Sequence, residues 1–115
     1  MCWTNRTLNR KVAEHDITVY KSVIPDLVGC RSLIYNFNYN FNEVYTESFN
    51  IEHINDIYYI FKGFHSYKTK STALNRHPFY KDIVKCVIPK KASYYENNND
   101  EIVSNQIKII DYEEI

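Results

Sequence analysis

The hydrophobic pattern along this chain has period 2 far more often than period 3.6. Residues 17–24, Ile-Thr-Val-Tyr-Lys-Ser-Val-Ile, are β-branched and aromatic and predict a strand. Pro25, Asp26 and Gly29 follow and supply a turn. Residues 35–42 read Tyr-Asn-Phe-Asn-Tyr-Asn-Phe-Asn. In a strand, Tyr35, Phe37, Tyr39 and Phe41 share one face, and the four asparagines share the other. The aromatic face is predicted to be buried and the asparagine face wet. Asn has poor β-propensity, so ring packing must hold this strand. Residues 43–49, with Val44, Tyr45 and Phe49, are the next strand candidate. Residues 51–56 are polar with isolated Ile. Residues 57–64 are apolar and suit a buried strand, although a helix over 52–61 fits so short a run equally.

One segment predicts a helix. In residues 69–76, Thr69 suits the N-cap, Ala73 and Leu74 suit the core side, and Pro78 stops the element. Residues 83–88, Ile-Val-Lys-Cys-Val-Ile, predict a central strand ended by Pro89. Residues 97–100 predict an exposed turn and residues 106–110 a final strand. Residues 1–13 lack a period and predict a loosely packed arm, which docks only if Trp3 finds a pocket. Residues 111–115 predict a frayed end. The sum is a mainly β to small α+β fold: a curled antiparallel or mixed sheet of five to seven strands with one short helix. A single domain spanning 1–115 holds all of it.

Composition sharpens this picture in two ways. The chain has 11 Tyr, 6 Phe and 1 Trp against three Ala, so the core must be aromatic. Cys2, Cys30 and Cys86 are odd in number and widely spaced, which implies reduced thiols and no disulfide framework. No apolar leader follows Met1 and no run of 18 apolar residues occurs, so no membrane contact and a cytoplasmic location are expected.

Net charge is zero but unevenly spread. Residues 62–91 carry eight Lys/Arg and one acid, Asp82, whereas residues 96–115 carry one Lys and six acids. The basic segment interleaves Lys62, Lys68, Lys70, Arg76, Lys81, Lys85, Lys90 and Lys91 with Phe64, His65, Tyr67, His77, Phe79 and Tyr80. Cations displace phosphate counterions and flat rings stack on unpaired bases, so this segment suits RNA or a ribonucleoprotein. Lys outnumbers Arg there seven to one, whereas base-specific readers favour Arg, and a solvated face accounts for the same residues. The acidic end reads first as an ordinary solvated tail, and it also suits folding back on the basic segment or mimicry of nucleic acid.

Two glycines exclude every glycine-rich phosphate cradle, and no nucleophile elbow, metalloprotease helix or Ca²⁺ loop occurs. No cofactor is therefore expected. No Cys-x-x-Cys pair exists, so a zinc site would need Cys2, Cys30, Cys86 and a His to converge from afar, and no metal is expected. Gly63-Phe64-His65-Ser66-Tyr67 is the densest polar-aromatic cluster. It reads either as a turn with a core-edge histidine leading into the helix, or as a general base or ligand contact, His65, with Ser66 or Tyr67 beside it.

Several of these marks occur together elsewhere. Ile17-Thr18-Val19-Tyr20-Lys21, the aromatic alternation ending at Tyr45, Gly63-Phe64-His65 before a short helix, Ile88-Pro89-Lys90 followed by Tyr94-Tyr95, and Ser104 to Ile109 form one layout. That layout resembles short, uncharacterised proteins of bacteriophages and mobile elements. Pro78 departs from it, since a small residue often follows the helix in that group. The resemblance implies a non-enzymatic protein that binds a protein or ribonucleoprotein effector and inhibits host defence, in the manner of anti-CRISPR proteins. Its contact residues are expected among Lys62, Phe64, His65, Tyr67, Lys68, Lys70, Arg76, Tyr80, Lys81, Lys85, Lys90 and Lys91. A small RNA-binding protein and a small nucleotide-processing enzyme using His65 and Tyr67 are the alternatives.

Overall fold

The computed structural model describes residues 3–26, 29–32 and 37–114. Along them run strands β1 (Trp3–Asn5), β2 (Lys11–Val12), β3 (Ile17–Pro25), β4 (Cys30–Ser32), β5 (Asn38–Tyr39), β6 (Val44–Thr46), β7 (Asn50–Ile54), β8 (Ile57–Lys62) and β9 (Phe64–Tyr67). Helix α1 (Lys70–Arg76) follows, then β10 (Ile83–Ile88), β11 (Ser93–Glu96), β12 (Glu101–Ser104) and β13 (Gln106–Tyr112). The mainly β class with one short helix is as the sequence predicts. The strands outnumber the predicted five to seven, because pieces of two or three residues are too short to show a period.

The larger sheet has the order β2-β11-β12-β9-β3-β10-β13-β6, with β4 and β5 branching from the end of β3. Every pairing in it is antiparallel. Strand β10 is central, paired on both sides, and Ile83, Val84, Cys86 and Ile88 are fully buried. One face of β3 and β10 builds the main core with Val19, Val23, Phe64, Ile107 and Ile109. On the other face α1 packs against β3, β9 and β10. Its N-cap forms as expected: Thr69 Oγ1 accepts the Thr72 N–H at 3.2 Å, and Ala73 is buried against Tyr67 and Ile83.

A smaller sheet, β1-β8-β7, lies beside the first. Trp3, Ile60, Tyr95 and Val103 form the core between them, so the arm's tryptophan does find its pocket. The segment 52–61, open between strand and helix, is a hairpin. Asn55 and Asp56 sit at φ 51° and 62° between the paired Ile54 and Ile57, as a two-residue hairpin of the primed type requires. Gly63, at φ 126°, joins β8 of the small sheet to β9 of the large one. A Cβ there would stand 2.7 Å from Val103 Cγ2, so the corner needs glycine.

Four expectations are corrected. In the alternating segment, Tyr35 and Asn36 lie outside the described residues, the strand is only Asn38–Tyr39, and Phe37 is 40% exposed. The chain turns at Asn42 (φ 64°), a conformation asparagine tolerates and one that breaks a strand. In the cluster 63–67 only Gly63 turns the chain, and Phe64–Tyr67 form the paired strand β9. In the 97–100 turn, Asn97 is buried: its Oδ1 accepts the Asn99 and Glu101 N–H groups, and its Nδ2 donates to Thr4 and Glu101. Strand β13 runs to Tyr112, and the Glu113 N–H donates to the Ile83 carbonyl at 2.8 Å.

Candidate functional site

Strands β3 and β9 share a single register pair, Tyr20 with Tyr67. Beyond it they part, and a pocket of about 320 Å³ opens between them. Lys21 and Ser22 line it from β3, and Phe64, His65 and Tyr67 from β9. Phe37, Tyr39 and Phe61 add aromatic walls, His77 closes the side next to α1, and Lys62 and Glu47 also line it. The volume lies at the low end of small-molecule sites, which start at roughly 300 Å³.

Lys21 is the unusual member. The period of β3 sets it on the inward face with Val19 and Val23, and it is buried. Its ammonium donates to the His65 carbonyl, bridging the two strands where they part. It also lies over the Tyr39 ring, 5.8 Å from the centroid. Among the described residues no carboxylate stands within ion-pair distance of it. Burial therefore lowers its pKa below the ordinary lysine value, only partly opposed by the nearby Cys86 and Cys30. The same burial pushes the Cys86 thiol up to about 12 and the Cys30 thiol up to about 11, which keeps both protonated.

The histidines are neutral for related reasons. Burial, then the Lys21 charge, lowers His65 to about 3, and its Nε2 has no hydrogen-bond partner among the described residues. Burial also lowers His77, followed by the Lys21 and Arg76 charges. Tyr67 is pushed up to about 12 by burial, so its hydroxyl stays protonated. It lies within hydrogen-bond distance of His77 Nε2, at 3.0 Å.

Of the residues singled out in the sequence, the pocket gathers Lys62, Phe64, His65 and Tyr67. Phe64 and Tyr67 are buried, so neither offers its ring to a partner at the surface. The acidic end does fold back on the basic segment. Lys68 meets Glu96 at 2.8 Å, Lys70 meets Glu113 at 3.3 Å and Arg76 meets Glu101 at 3.7 Å. Lys81 and Lys90–Lys91 flank opposite ends of the six-residue β10, which spans roughly 20 Å, with half-buried Lys85 between. The basic segment is thus divided and half neutralised, not one continuous surface.

Lys21, the residue at the centre of the pocket, was not among those candidates. The signal was present: a lysine at an inward position of a β-branched strand. Among the described residues no three His, Cys, Asp or Glu side chains gather to hold a metal, and Cys2 lies outside them. No helix among them is long and apolar enough to cross a membrane. The chain matches no protein-family model, no curated protein and no solved structure.

Proposed function

We propose that this protein is a small-ligand-binding module, and that its ligand occupies the pocket between β3 and β9. One observation carries the reading: an amine, Lys21, is buried at the pocket wall without a carboxylate partner. Burying such a group costs stability, and the His65 carbonyl satisfies only one of its N–H donors, so a ligand in the pocket can supply a further acceptor. The aromatic walls suit a flat ring. Lys62, which also lines the pocket, suits an anionic substituent, and Lys21 suits a polar acceptor.

Benzoate and adenosine monophosphate are suitable probes. Titration followed by ¹H–¹⁵N shifts is expected to move the amides of Lys21, Gly63, His65 and His77 together. Lys21→Met is expected to weaken binding about ten-fold or more, since it removes a buried donor. Shifts scattered over the surface, or full affinity in Lys21→Met, would refute the pocket.

A second reading has its own support. Inhibitory binding of a protein or ribonucleoprotein effector needs exposed apolar anchors, and Phe79 is 92% exposed beside half-exposed Tyr80 and the cation of Lys81. Phe79→Ser with Lys81→Glu is expected to abolish co-purification of an effector from the native host. Undiminished co-purification would exclude this surface.

A further inference from the structure

We propose that Lys21 forms an imine with the carbonyl group of a small aldehyde or ketone held in this pocket. The inference rests on the pocket reading above and names the chemistry of the ligand.

Three features of the geometry support it. First, the amine is presented to the pocket and tethered through one polar contact, the His65 carbonyl. A lysine kept for packing alone would ordinarily face a carboxylate or reach solvent. Here its surroundings are the Tyr39 ring and the two thiols. Burial disfavours the ammonium more than the ring and the thiols favour it, which shifts the balance towards the neutral amine, the nucleophile. Second, Phe37, Tyr39, Phe61 and Phe64 line the pocket and offer an apolar bed for an aromatic carbonyl compound. Third, proton carriers line the same pocket. The Tyr67 hydroxyl and His77 Nε2, 3.0 Å apart, form a hydrogen-bonded pair through which a proton can pass to the carbinolamine oxygen.

The reaction balances without an oxidant or reductant. The Nζ lone pair attacks the carbonyl carbon, and the C=O π pair moves to oxygen, which takes up a proton. The carbinolamine then loses that oxygen as water, the two amine protons leave with it in net, and a C=N bond remains. Lys62 lies on the same pocket, so a carbonyl compound bearing an anionic group fits best.

The test uses 4-carboxybenzaldehyde, with benzaldehyde for comparison, and sodium cyanoborohydride to reduce any imine to a stable secondary amine. At pH 6.5, peptide mapping of the wild-type chain is expected to find the adduct at Lys21 first, forming at least about ten-fold faster than at the exposed Lys81 or Lys90. The carboxylated probe is expected to react faster than benzaldehyde, and Lys21→Arg to abolish the early adduct. Modification of Lys21 no faster than of Lys81 would overturn the imine. If the probe also shifts the pocket amides in the absence of reductant, the pocket reading survives that failure. If it shifts none and leaves Lys21 unmodified, both fall.

Discussion

Trp3→Ala should lower the stability of the fold by about 3–5 kcal/mol, the usual cost of truncating a buried large aromatic residue to alanine. Trp3 is 1% exposed, and its strand pairs with β8 in the register Trp3 to Ile60. Its indole packs against Ile60, Tyr95 and Val103, with the Tyr95 ring centroid 6.0 Å away. Nε1–H donates to the Glu101 carbonyl at 3.1 Å. Truncation therefore opens a cavity between the two sheets and leaves a carbonyl without its donor. A domain of this size has about 5–15 kcal/mol in total, so the loss is a large fraction of it. Trp3→Phe keeps most of the packing and loses only the donor, at a cost of about 1–2 kcal/mol. Urea denaturation distinguishes the three proteins, and equal midpoints for wild type and Trp3→Ala would mean that the arm is not docked.

The same residue shows how a terminal segment controls the pocket. Strand β8 lies between β1 and β7, and its end supplies Phe61 and Lys62 to the pocket before Gly63 turns the chain into β9. Phe49 packs on that corner and stacks edge-on against Tyr95, 5.0 Å between centroids. Loosening β1 therefore loosens one wall of the site.

What the sequence made legible follows from run length. Strands β3 and β10 and helix α1 are long enough for their period and caps to show, and each falls where the pattern puts it. The alternating aromatic segment carried the clearest period yet yields only a two-residue strand. Four asparagines favour turning, and Asn42 takes the positive φ at which the ladder ends. The hairpin at Asn55–Asp56 was hidden for the opposite reason. Strand β7 is exposed along its whole length and shows no apolar face.

The pocket itself depends on tertiary geometry that no local pattern encodes. It exists because β3 stops pairing with β9 after Tyr20 and continues towards β4. The histidine and tyrosine of β9 were visible as a cluster, but Lys21 and His77 reach them from elements 44 and 12 residues away from His65. Charge was legible as segments and not as a surface. The opposed acidic and basic stretches were plain, whereas the separation of Lys81 from Lys90 by the length of β10 was not.

His65→Gln should flatten the acid side of the stability profile. In the folded chain His65 titrates at about 3, against 6.5 when unperturbed, because burial and then the Lys21 charge disfavour the imidazolium. The unfolded chain thus binds a proton at His65 below pH 6.5 that the folded chain refuses. The associated stability is complete above pH 6.5 and is lost as pH falls towards 3, where the folded imidazole itself takes up the proton. At 1.36 kcal/mol per unit, the loss over that window is about 4 kcal/mol. His77 is shifted in the same direction and pulls the same way. Glu96, held below the usual carboxylate range by Lys11 and Lys68, adds its own loss as pH falls through its lowered value. Gln carries no titrating proton, so the variant should lose markedly less stability than wild type between pH 6.5 and 4, with the remaining slope set by His77 and the carboxylates. Chemical denaturation at half-unit steps of pH measures both curves. Parallel curves would mean that His65 titrates alike in the folded and unfolded chains and is not held neutral by burial beside Lys21.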